Sequence, residues 1–156
     1  GKIKSVVWYM NSDQTTGGAD KAILTDKVAS NATSHRPVLS RLKQYIPGLV
    51  RRRLPGLRPM ACANLPYYIT SPLLTALLEA ECFEAVTVMV QKEAADRLTA
   101  APGTRASSAI SCAVSYYAKS KMMFTAAPGS FYPAPKVTSA VVRMDIRTTP
   151  AVQVED

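Results

Sequence analysis

The sequence predicts an α/β fold, and three observations carry that expectation. From Pro59 onward, short β-rich runs alternate with segments of helical spacing, the pattern of a sheet with helices packed on it. The run 85–90 is apolar almost throughout, as in a strand covered on both faces. The last two β-rich runs are joined by a Pro-rich loop and no helix, so that pair is expected to be antiparallel.

Each element has its own signal. Residues 60–63 are a short apolar run ending in Asn64-Leu65-Pro66-Tyr67-Tyr68, which reads as a buried strand stopping in a tight turn. Thr70 or Ser71 is placed to cap a helix with Pro72 in its first turn, and Leu73, Leu74, Leu77 and Leu78 supply its buried stripe. A second helix opens at Gln91-Lys92-Glu93 and runs through Leu98, where Ala101-Pro102-Gly103 breaks it. A third is expected over about 107–117, a strand over 121–126, a loop over 128–135 and a last strand over 137–146. Tyr116-Tyr117 and Met122-Met123 read as core or half-buried packing. In sheets of this kind, ligands bind at the C-terminal ends of strands, which is where Asn64 falls.

At 156 residues the chain suits one domain better than two. Hydrophobic residues make up 47% and charged residues 19%, which excludes disordered and fibrous classes. No apolar run approaches the roughly 18 residues of a membrane span, and the apolar stretch after Lys4 is too short for a signal peptide. Cytoplasmic location, no membrane and a monomeric state are the expectations. Cys62, Cys82 and Cys112 are widely spaced among apolar neighbours, suited to reduced core thiols better than to disulfides or a metal site. His35, the only histidine, has no acidic or thiol neighbour, and no metal is expected.

The net charge of +8 resembles a nucleic-acid signature until it is divided along the chain. Residues 1–60 hold eleven Lys and Arg against three Asp, and the remainder is balanced at eight against eight. Electrostatic grip on phosphate therefore belongs to the first part or to local patches. That part has Gly17-Gly18, the Arg51-Arg52-Arg53 run and one helical pattern, with Leu39, Leu42, Ile46 and Leu49 in register. The division expected is a basic leader over 1–57, a catalytic-domain half over 58–147 and a tail over 148–156.

Asn64-Leu65-Pro66-Tyr67 carries the chemistry. An Asn side-chain oxygen and a backbone carbonyl held by the following Pro are two acceptors a few ångströms apart, with a flat ring beside them. They suit a planar amine such as N6 of adenine. Phe131 stands in the Pro-rich loop and Lys136 beside it, an ammonium placed to meet phosphate. Lys92 and Arg97 are weaker candidates for phosphate.

Three segments closely resemble motifs of the small-subunit ribosomal RNA adenine dimethyltransferases of the KsgA type. They are Ala63-Asn64-Leu65-Pro66-Tyr67-Tyr68, the run Val90-Gln91-Lys92-Glu93-Ala94-Ala95-Asp96-Arg97-Leu98, and Phe131-Tyr132-Pro133-Ala134-Pro135-Lys136-Val137 continuing through Thr138-Ser139-Ala140-Val141-Val142-Arg143. Order and separation match as well, over about residues 56–147. The resemblance implies an incomplete Rossmann-like class I methyltransferase sheet that uses S-adenosylmethionine to form N6,N6-dimethyladenosine in ribosomal RNA or a small-subunit precursor. It implies that Asn64 touches the methyl donor and accepts from the target amine, that Leu65 and Pro66 shape the backbone acceptor, and that Tyr67 stacks on the flipped base. Phe131 resembles the second aromatic wall and Lys136 an RNA contact.

The family's strand with a Gly-x-Gly loop, the acidic residue at the next strand end and the C-terminal helical domain have no counterpart in the sequence. An out-of-frame leader, a gene fragment or a truncation would each produce this pattern. Two other readings stand beside the first. One is a non-catalytic RNA-binding fragment with a basic leader. The other is a DNA adenine N6-methyltransferase, against which Leu65 in place of a second Pro argues.

Overall fold

The computed structural model describes residues 8–9, 46–52, 54–65, 70–149 and 151. After β1 (Trp8–Tyr9), a helical stretch at 46–52 precedes β2 (Met60–Asn64). Then follow α1 (Thr70–Glu79), β3 (Ala85–Gln91), α2 (Lys92–Thr99), α3 (Ala109–Tyr117), β4 (Ala118–Ala126), a 3-10 turn at Pro128–Ser130 and β5 (Ser139–Ile146). Thr70 and Ser71, expected to cap α1, both lie within it. Pro72 is tolerated throughout a first turn, whose N–H groups lack helical partners anyway, so its position does not fix the cap.

α2 and α3 are joined through Gly103, whose φ of 82° is one that side chains rarely adopt. Ser111 ties the two helices together. Its hydroxyl, 1% exposed, donates to the Arg97 carbonyl at 2.6 Å and accepts from the Ser108 N–H at 2.9 Å. One side chain thus satisfies an N-terminal amide of one helix and gives a second donor to a C-terminal carbonyl of the other, which also accepts the Ala100 N–H at 3.4 Å. β4 begins three residues ahead of the expected 121 because its ladder with β5 extends to Ala118 opposite Ile146. β5 begins at Ser139 and not at 137, since Thr138 uses its carbonyl to accept the Lys92 N–H at 2.9 Å.

The sheet order is β1-β2-β3-β5-β4. β1, β2 and β3 are parallel, and β5 is antiparallel to both β3 and β4, so the antiparallel pair predicted at the end is present. Two residues of the leader join this sheet, Trp8 opposite Cys62 and Tyr9 opposite Ala63.

Val86, Val88, Val90, Ala140, Val142 and Met144 are buried on the sheet and form one cluster with Leu73, Leu74, Leu78, Leu98 and Val114 from the helices. Burying a side chain of this kind contributes about 1.5–3 kcal/mol. Ile46 is also in the cluster, and Val50 packs against it. The rest of the helical pattern, including Leu39 and Leu42, lies outside the described residues, as do His35 and Gly17-Gly18.

Several burial expectations are corrected. β2 is not buried on both sides: Ala61 and Ala63 turn toward the core while Met60, Cys62 and Asn64 are exposed. The period-2 alternation of a strand puts those three on the other face. Cys62 and Cys112 are exposed, so neither is a core thiol, whereas Cys82 is half-buried and packs against the core. On α3 the buried positions are Ser111 and Val114, which turns Cys112 outward. Met123 and Tyr116 are also exposed, whereas Met122 and Tyr117 pack against the core.

Candidate functional site

Asn64 is the last residue of β2 and is exposed, whereas Leu65 is 1% exposed and its N–H donates to the Met89 carbonyl at 3.1 Å. The acceptor-bearing side chain is thus exposed on a backbone that β3 and a buried leucine hold in place. Pro66 and Tyr67, which complete the motif, lie outside the described residues.

Strand register brings the Pro-rich loop to the same edge of the sheet. Asn64 pairs with Met89, while Gln91, two residues further along β3, pairs with Ser139 at the start of β5. The loop 127–138 therefore rises about 7 Å beyond the level of Asn64 and two strand spacings, about 10 Å, to its side. Its first limb, leaving β4 on the side away from β2, is tied by the Ser130 N–H donating to the Ala127 carbonyl at 3.0 Å and the Phe131 N–H donating to the Pro128 carbonyl at 3.2 Å. Phe131 is half-buried and Lys136 exposed.

Lys92 begins α2 at this edge but is held by Asp96 at 2.6 Å. Arg97 lies five residues along the helix, about 7.5 Å further from the edge, and is exposed. Lys92, directly after Gln91, is thus at the same edge with its charge paired, and Arg97 lies about a turn and a half of helix away from it.

On the donor side, residues 46–63 contain neither a Gly-x-Gly loop nor an acidic side chain. Asn64 alone represents that side among the described residues, which do not make up a site for S-adenosylmethionine. Among the described residues no three His, Cys, Asp or Glu gather into a cluster that could hold a metal, and no helix is long and apolar enough to cross a membrane.

Sequence motifs did not point to a cavity of about 640 Å³ at the other end of the sheet, lined by Arg58, Glu84, Tyr116, Tyr117, Arg143 and Asp145 among others. Arg58 pairs with Glu84, and Arg143 with Asp145 at 2.8 Å. Internally neutralised and at the N-terminal ends of β2 and β3, this cavity is poorly suited to a polyanion. The Asn64 edge is the better candidate because ligands in parallel sheets bind at the C-terminal strand ends. Burial pushes the Cys82 thiol up, an effect its own backbone hydrogen bond and the nearby Arg51 charge partly oppose.

Comparison with known proteins agrees with the motif order. Residues 43–156 match the family described as Ribosomal RNA adenine dimethylase; the match starts ahead of residue 56, where the recognisable motifs begin. The ribosomal RNA small subunit methyltransferase A of Alkaliphilus oremlandii is 44% identical over 115 residues, covering 73% of this chain and 40% of that protein. Its counterpart in Streptococcus thermophilus is 47% identical over 103 residues, covering 65% and 36%. The chain thus spans about two fifths or less of the length of these relatives.

Among solved structures, a dimethyladenosine transferase from Plasmodium falciparum superposes with a TM-score of 0.54 at 30% identity, covering 61% of this chain and 36% of that one. The 23S rRNA methyltransferase ErmE, at 23% identity and a TM-score of 0.52 over 73% of this chain and 52% of its own, shares the fold. The sheet is therefore that of a Rossmann-like class I methyltransferase, in part. With most of its length matched from residue 43 onward, the chain belongs to the ribosomal RNA adenine dimethylase family.

Proposed function

We propose that this chain is the acceptor-side part of an enzyme that dimethylates N6 of adenosines in small-subunit ribosomal RNA, with S-adenosylmethionine as methyl donor. One observation carries the reading: an exposed Asn64 on a locked strand end, at the same sheet edge as the Phe131 and Lys136 loop.

The N6 lone pair of adenine is delocalised into the ring, which makes the amine a poor nucleophile. In this reading the Asn64 amide oxygen and the Leu65 carbonyl accept its two hydrogens and favour a pyramidal nitrogen with a localised lone pair. The attraction grows as positive charge develops on nitrogen, so it stabilises the transition state more than the bound substrate. Pro66, with its fixed φ, aims the Leu65 carbonyl; Tyr67 and Phe131 enclose the flipped base; Lys136 meets a phosphate. The partner is ribosomal RNA or a small-subunit precursor, approached by a monomer in the cytoplasm.

The parent protein should transfer labelled methyl groups to undermethylated small ribosomal subunits, with N6,N6-dimethyladenosine recovered on digestion. Labelling of duplex DNA and not of the subunits would replace this reading with DNA adenine methylation. RNA binding with no transfer to either would favour a non-catalytic RNA-binding role.

A further inference from the structure

The Pro-rich loop presents two neighbouring aromatics in opposite ways. Phe131 is half-buried, so part of its ring is committed to the protein. Tyr132 is fully exposed, at 102% of its reference area. A large ring left wholly in water gives up the burial that stabilises most aromatics, and folding supplies no reason for it here.

Three properties of the loop suit that ring to nucleic acid. The loop lies at the edge of Asn64 and rises beyond it, as the pairing of Gln91 with Ser139 requires. Pro128, Pro133 and Pro135 fix their φ angles, so little conformational freedom is lost when a partner binds. Lys136 is the only charged residue among 127–138, so the loop attracts phosphate and contains no acid to repel it. An exposed ring beside a lone cation on a stiff loop is the arrangement that recognises an unstacked base and its backbone.

We infer that Tyr132 stacks on a nucleotide adjoining the target adenosine and so sets which single-stranded RNA the site accepts. This rests on the reading of Asn64 as the acceptor of the adenosine amine. Tyr132 is a substrate-binding residue outside the aromatic wall given to Tyr67 and Phe131, and it reads the neighbour of the modified base.

The test is the affinity of the 156-residue chain for a labelled single-stranded RNA containing two adjacent adenosines, followed by fluorescence anisotropy. Tyr132→Ala should weaken binding about 5- to 150-fold, the usual loss of one base–aromatic stack. Tyr132→Phe keeps the ring and should stay within about twofold of the original. Replacing the bases beside the target with abasic sites should abolish the difference between Tyr132 and Tyr132→Ala, a result that a folding defect would not produce. Unchanged affinity in Tyr132→Ala, with RNA binding intact and weakened by Asn64→Ala, overturns the Tyr132 assignment alone. Equal loss in Tyr132→Ala on intact and abasic RNA also overturns it. Failure of the unaltered chain to bind the RNA overturns the functional reading, and Tyr132 falls with it.

Discussion

Asn64 and Leu65 divide one task between adjacent residues. Leu65 is buried and hydrogen-bonded to β3, and Asn64 is exposed, so packing fixes the backbone while the polar side chain stays available to a ligand. Both residues stood out in the sequence, because Asn-Leu-Pro-Tyr at a strand end sets two acceptors beside a ring and two companion motifs follow it. Two of the cysteines did not read correctly. The facing of the strand or helix decides burial, and Cys62 and Cys112 sit on outward positions. A reactivity difference follows. Cys82 has a thiol pushed up by burial, so at pH 8 less of it is thiolate, and thiolate is the reacting form. Exposed Cys62 and Cys112 should react with a disulfide reagent faster than half-buried Cys82 in the native protein, and raising the pH should speed Cys82. Denaturant should make all three alike; equal native rates would contradict the burial of Cys82.

Among the elements, α2 and α3 depend on each other through Ser111. Removal of its hydroxyl leaves the Ser108 N–H without that acceptor and the Arg97 carbonyl without that donor. Ser111→Ala should cost about 1–3 kcal/mol, read as a lower urea midpoint with an unchanged slope, and a change below about 0.3 kcal/mol would show that water replaces the bonds. The Gln-Lys-Glu start of α2 and the Pro102-Gly103 break were legible because caps and breakers act locally. The start of β4 was not, since it is set by the length of β5, a partner some twenty residues later. Nor was the one-sided burial of β2, since a strand of small apolar residues does not reveal which face the helices take.

For the whole molecule, the fold class and the final antiparallel pair were legible from the alternation of periods, and the family from three spaced motifs. Strand order needed the structure, which places β5 between β3 and β4. That insertion aligns the Phe131 loop with Asn64, which joins segments far apart in sequence at one sheet edge.

The most direct test of the central claim is the methyl-transfer rate of Asn64→Ala in the parent protein, with undermethylated small ribosomal subunits as substrate. Loss of a transition-state hydrogen-bond partner should lower kcat on the order of 10²–10³-fold with subunit binding and the circular dichroism spectrum preserved. A near-normal kcat would contradict the account.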